Sequence, residues 1–391
     1  MRIVVPGLIM LAAVGAAGKD ARAQSIQTAA PIAYLYDVNT RSPLFEKAAD
    51  ELFPPASIVK LLTAETVFHA LKDGKITSQT EYPITEDVWR RGGAPSRGAA
   101  MFAPLNSRIA VSDLLQGLIV MSGNDAALAL AAGLGGTEAG FVSRMQERAG
   151  VIGLTRSQIR NATGFSHPEQ KVSAREMAKL ALHLIETYPE NYALFGQREF
   201  TWNAIRQTNR NPLLAMNIGA DGMKTGNIGD AGFGLVGSAV QTERRLIVVI
   251  MGADTALARA ADARKLLEWG FSNFERRKLL EKQIPLTEAK VTGGLATSVP
   301  LGLKDDIDLL LPKSALDTVQ TRINYLTPLK APIAEGTEVG RLTVIRAGGA
   351  IALNVPVVAL TEVPQGSLRK RAFDNSWEWF LNLFRRGSSK A

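Results

Sequence analysis

At 391 residues the chain is longer than one average domain, and its 46% hydrophobic and 21% charged content is that of a protein burying a sizeable core. There is no cysteine, so thiol catalysis, zinc–thiolate sites and disulfide staples are excluded. The formal charge of +8 suits an anionic membrane surface or wall polymer. Nucleic acid fits less well, because no basic run with interleaved aromatics precedes roughly the last 25 residues.

Taken in chain order, Met1-Arg2 gives a positive start and Ile3 to Ala17 is almost wholly apolar or small. Ala21-Arg22-Ala23 then places small residues where a signal peptidase reads, so residues 1–23 are expected to be a signal peptide cleaved after Ala23. An uncleaved anchor is the rival reading, but the run falls short of the roughly 20 apolar residues a spanning helix needs. Cleavage removes three basic residues and one acidic one, leaving +6. Ile32 to Asp37, followed by a short strand around Leu44, predicts an opening hairpin. Pro54-Pro55 halts the chain, and Ser57 to Leu71 then runs apolar at helical spacing. Val111 to Leu134 and Ser173 to Tyr188 also read as helical, the former rich in Ala and Leu. Gly232–Val240 and Arg245–Met251 predict an antiparallel strand pair, with a helix over Ala258–Phe271 closing the unit. This order predicts an α/β (α+β) catalytic domain over 24–283, with an antiparallel sheet and helices on its faces.

Beyond Leu286 short alternating runs take over: Thr297–Leu301, Asp308–Leu311, Arg341–Ala347 and Ile351–Leu360, with Gly348-Gly349 as a hairpin turn between the last two. They predict a small all-β domain over 284–367. Within the final segment, 368–391, Phe373 to Arg386 is amphipathic at 100° per residue. Phe373, Trp377, Phe380, Leu381 and Phe384 share one face, opposite Asp374, Glu378, Asn382 and Arg385. It is expected to anchor the protein on an anionic membrane surface.

Three short motifs occur in order: Ser57-Ile-Val-Lys60, Ser122-Gly-Asn124 and Lys224-Thr225-Gly226. Ser-x-x-Lys alone is weak, and the chain holds a decoy at Ser367-Leu-Arg-Lys370. Context favours the first: at the start of a helix Lys60 lies one turn beyond Ser57, facing the same way. Taken alone, Ser57 could equally be a helix N-cap, Ser122-Gly-Asn124 ordinary turn chemistry, and Lys-Thr-Gly, expected just before a strand, a surface turn. Together they are the three elements of the serine β-lactamase and penicillin-binding group. The runs "FTWNAIRQTNRNPLL", "GLIVMSGNDAALALA" and "KLLEWGFSNFE" sharpen this. The chain resembles the low-molecular-mass D-alanyl-D-alanine carboxypeptidases, the penicillin-binding proteins of bacterial envelopes, from about Ala30 to its C-terminus. That family carries a β-rich second domain and an amphipathic tail.

Cleaving a peptide carbonyl requires an activated nucleophile, a base, an oxyanion hole and a grip on the substrate. Ser57 is expected to attack the penultimate D-alanine carbonyl. Lys60, neutral through burial and the like charge of Lys224, would take its proton, although a free lysine titrates near ~10.4. Ser122 would relay that proton to the leaving amine, and Asn124 would hold Lys60 and the substrate amide. Lys224 and Thr225, with Arg210 adding positive potential, would bind the terminal carboxylate. The resemblance implies that Gly226 belongs to this binding strand and that the N–H groups of Ser57 and Asn227 form the oxyanion hole. It also implies peptidoglycan stem peptides ending in D-Ala-D-Ala and β-lactam antibiotics as partners, no cofactor, and a position on the periplasmic side of the inner membrane. A Ser-His-Asp hydrolase is disfavoured, since His69, His167 and His183 come without a Gly-x-Ser-x-Gly elbow. A metallopeptidase lacks paired His at ligand spacing. A β-lactamase, or a wall-binding relative that has lost activity, remains the alternative. The former would want a Glu-x-x-Leu-Asn loop, which is missing between Ser122 and Lys224.

Overall fold

The computed structural model describes residues 3–9, 26–227, 229, 232–312, 320–345 and 351–368. Two units separate at Ser272–Asn273, somewhat before the expected boundary at 284.

In the first unit five strands form an antiparallel sheet: β1 (Ile32–Asp37), β2 (Ser42–Lys47), β3 (Ala220–Asn227), β4 (Phe233–Gln241) and β5 (Arg244–Ala253), in spatial order β2-β1-β5-β4-β3. The continuous apolar run of β5 follows from burial on both faces. Ile247, Val249 and Met251 enter one core cluster; Leu246, Val248 and Ile250 enter another. The first cluster is made mainly with helices α1 (Lys60–Lys72), α2 (Val111–Val120), α3 (Asn124–Gly135), α4 (Glu138–Ile152) and α5 (Ala174–Thr187). The second is made with α6 (Ala256–Asn273), through Ala263, Leu266 and Leu267. Helix α1 is buried nearly all round, polar Lys60, Thr63, Glu65 and Thr66 included, so it shows no solvent-facing polar stripe.

Three departures from the sequence reading bear on the site. Ser57 lies on a 3-10 turn, Ala56–Val59, and the α-helix begins only at Lys60. The 111–134 stretch is broken at Met121–Gly123, where Ser122 takes a left-handed φ of 63° that ends one helix before Asn124 starts the next. Lys224-Thr225-Gly226 does precede the strand read at Gly232–Val240, but it also lies within a strand of its own, β3 at the sheet edge. Helix α4 and strand β3 escaped the sequence reading altogether.

The second unit is a β structure with its own core, built on Val299, Leu301, Leu309, Ile323, Leu342 and Val357. Among the described residues its strands form a seven-stranded sheet and a separate pair, Phe274–Leu280 with Ile307–Pro312. One edge of the sheet is Ile3–Ile9, antiparallel to Gln320–Thr327. The leader was expected to lie outside the fold. Residues 3–9 of that segment instead pair along this edge. Gly348-Gly349 and Phe373–Arg386 lie outside the described residues, as do Met1-Arg2 and residues 10–25.

Candidate active site

Pro54-Pro55 delivers the chain into the Ala56–Val59 turn, with Ala56 held at a positive φ of 44°. Two glycines let neighbouring backbone close on this turn. A Cβ on Gly226 would stand 2.9 Å from the Pro55 carbonyl oxygen, so its absence lets β3 run beside the serine. Gly164, at φ +86°, passes so near that a Cβ would lie 2.1 Å from the Ala56 carbonyl oxygen. No side-chain cap bond is made at the start of either helical segment, so the N-cap reading of Ser57 does not hold.

Lys60 is 1% exposed. Its Nζ donates to Ser57 Oγ at 3.1 Å, to Asn124 Oδ1 at 2.7 Å and to the Thr163 carbonyl oxygen. Burial first, then the charges of Lys224 and Arg210, hold its pKa well below the usual lysine value, against an opposing pull from Asp125. Ser122, on the break between α2 and α3, and Asn124, the first residue of α3, are both buried. Across the cleft Lys224, 2% exposed, has its pKa pushed down to about 7 by burial and by Arg210 and Arg259. Its Nζ donates to the Thr225 carbonyl oxygen.

A cavity of about 600 Å³ opens over these groups. Ser57, Ser122, Asn124, Arg210, Thr225, Gly226 and Asn227 line it, so most of the sequence-predicted residues converge there. Lys60 and Lys224 are buried and not part of the lining. The sequence reading missed the wall formed by Gly98 and Ala99, the Thr163–Phe165 segment, Phe233 and Arg259. Arg259 was detectable in principle. It sits on the buried side of α6, where a cation needs a reason. Its guanidinium lies over the Phe233 ring, its Nε has no hydrogen-bond partner among the described residues, and burial lowers its pKa. None of the three histidines lines the cavity: His69 meets Asp73, His183 meets Glu65, and His167 accepts from the Glu169 N–H.

This arrangement joins a hydroxyl to a charge-suppressed amine and faces both with cations, which suits nucleophilic attack on a substrate bearing a carboxylate. A family model described as D-alanyl-D-alanine carboxypeptidase matches residues 19–255, and one described as penicillin-binding protein 5, C-terminal domain, matches 274–365. The D-alanyl-D-alanine carboxypeptidase DacA of Haemophilus influenzae is 36% identical over 350 residues, 89% of this chain and 87% of that protein. DacC of Escherichia coli is 35% identical, over 94% and 93% respectively. Among solved structures, penicillin binding protein 5 from Haemophilus influenzae superposes with a TM-score of 0.77 at 36% identity, covering 87% of this chain and 99% of that one. Penicillin-binding protein D2 from Listeria monocytogenes, in its ampicillin-bound form, gives 0.57 at 27% identity over 63% of this chain and 99% of that one.

Proposed function

The chain belongs to the D-alanyl-D-alanine carboxypeptidase family and is a hydrolase of that class, and from this premise we propose that it removes the terminal D-alanine of peptidoglycan pentapeptide stems through an acyl-enzyme on Ser57. The observation that carries the reading is the buried Lys60 amine, bonded to both Ser57 Oγ and Asn124 Oδ1 beneath a cationic cavity.

Neutral Lys60 takes the Ser57 proton as Oγ bonds to the penultimate D-alanine carbonyl. The oxyanion is received by the Ser57 and Asn227 N–H groups. Ser122 passes the proton to the departing D-alanine nitrogen as the C–N bond breaks, and Asn124 holds Lys60 and the substrate amide. Water then hydrolyses the ester. Thr225, Arg210 and the charge of Lys224 attract the terminal carboxylate, with Gly226 allowing the close approach of β3. No metal or organic cofactor enters, so chelator leaves D-alanine release unchanged; loss of activity restored by zinc would refute this.

A β-lactam offers the same amide-and-carboxylate pattern, and the Listeria relative was solved with ampicillin bound. Covalent acylation of Ser57 follows. Intact-mass analysis after penicillin treatment should show one adduct on the wild type and none on Ser57→Ala. An adduct persisting in Ser57→Ala would move the nucleophile elsewhere. The apolar leader and the tail place this chemistry, in the same proposal, on the periplasmic side of the cytoplasmic membrane.

A further inference from the structure

Asp125 directly follows the Ser122-Gly-Asn124 triplet, is fully buried, and does not line the cavity. Oδ1 accepts from the Met101 N–H at 2.9 Å and the Ala126 N–H at 2.9 Å, and Oδ2 from the Ala103 N–H at 3.1 Å. The link is returned along the backbone, where the Asn124 N–H donates to the Ala99 carbonyl oxygen at 2.7 Å. Met101 is anchored again by Gln207, whose Nε2 donates to its carbonyl oxygen at 3.1 Å. The loop so tied includes Gly98 and Ala99, one wall of the cavity. Between the two tethered amides Phe102 is forced to a φ of 65°, a strained conformation for an aromatic residue that persists only where its surroundings impose it.

We propose that Asp125 is a positioning residue, whose carboxylate fixes the Gly98–Ala103 wall to the Ser122-Gly-Asn124 triplet and acts through space on Lys60. The inference rests on the reading of Lys60 as base. Burial pushes the Asp125 pKa up, and the N–H donors of Met101, Ala103 and Ala126 oppose it by favouring the ionised form. Its negative charge then favours protonated Lys60, opposing the cations Lys224 and Arg210, while the other contacts of the Lys60 amine, Ser57, Asn124 and Thr163, are neutral. The charge of Asp125 therefore limits how far the base is discharged.

The test is Asp125→Asn, which preserves shape but removes the charge and turns an amide group toward one of the N–H donors. In the full chain, penicillin acylation should slow roughly tenfold to a hundredfold, as displaced catalytic groups do. The acidic limb of its pH profile should move to lower pH, because Lys60 loses the charge that favoured its proton. A folded variant with the wild-type rate and limb overturns the proposal. So does a slower variant whose limb stays put, since loosening alone would give that. Should the variant fail to fold, hydrogen exchange of the wild-type protein decides: the tied Met101 and Ala103 amides should exchange as slowly as those of α3, and exchange at open-loop rates would show that no tie exists. Ser57→Ala in the same assay separates this from the reading beneath it. An adduct surviving there defeats the nucleophile assignment, whereas the exchange result does not depend on it.

Discussion

A lysine ammonium enclosed by an apolar helix loses its hydration, and at Lys60 the charges of Lys224 and Arg210 push in the same direction. Acylation should therefore gain rate as pH rises through the depressed Lys60 pKa. Above about 7 Lys224 discharges in the free enzyme and the attraction for a carboxylate weakens. The kcat/KM profile should thus be bell-shaped, with its basic limb owned by Lys224. Lys60→Ala should slow acylation by roughly two to four orders of magnitude with binding little changed. Lys224→Ala should lower kcat/KM roughly tenfold to a hundredfold, the worth of a charge-assisted contact, and lose the basic limb. Near wild-type acylation in Lys60→Ala would remove Lys60 as the base. The same burial carries a stability sign. The folded pKa of Lys224 lies below its unfolded value, so between about 7 and 10.5 the unfolded chain binds more protons and stability rises with pH. Below about 7 the destabilisation is complete. Lys224→Met should accordingly melt at or above the wild-type temperature at pH 6 while acylating poorly; a lower melting temperature would contradict that sign.

Helices and strands bring these side chains together, and their glycines divide sharply by environment. Gly164→Ala would drive a Cβ into the Ala56 carbonyl oxygen and within 2.7 Å of the Ser57 nitrogen, at a φ that disfavours any side chain. It should cost more than about 2 kcal/mol and disable acylation. Gly150→Ala, on an exposed face of α4 with nothing within 4 Å, should stabilise by about 0.5–1 kcal/mol. Urea melts of the pair check both, and equal effects would mean that the close approach of Gly164 to the turn is not real. Legibility in the sequence followed the same division. The run that became β5 was readable because burial on both faces leaves an unbroken apolar signature, and α1 because its apolar residues recur at helical spacing. Pro54-Pro55 marked the turn before Ser57, though not its 3-10 character, which depends on tertiary contacts such as Gly164. Strand β3 was unreadable: Gly222, Lys224, Thr225 and Gly226 interrupt any alternation, the last three serving the cleft and Gly222 the close approach of Tyr192 and Phe195. Thr163–Phe165 reach the cavity through long-range packing, which no local pattern encodes, whereas Arg259 left a trace as a cation on the apolar side of a helix.

At the scale of the whole molecule, the expected signal peptide and amphipathic tail would set where the chemistry happens. With residues 1–23 removed the chain keeps a charge of +6, suited to an anionic wall and lipid surface. Phe373–Arg386 should lie in the plane of the outer face of the cytoplasmic membrane and hold the catalytic unit towards the wall. Its apolar arc spans about 200° at 100° per residue and carries Trp377, Trp379, Phe380 and Phe384, side chains suited to the headgroup boundary. Lys370, Arg371, Arg385 and Arg386 flank it, each adding about 1 kcal/mol of attraction to anionic lipid. The segment is far shorter than the roughly 20 apolar residues that span a bilayer, and Asp374, Glu378 and Asn382 keep one side polar. The competing arrangement packs this helix on its own β unit, where it would contribute stability rather than location. Truncation after Gln365 separates the two. An anchor lost in this way sends the protein into the soluble fraction with penicillin acylation of Ser57 intact. A truncated protein that stays with membranes, or one that loses acylation because it no longer folds, would defeat the anchor reading.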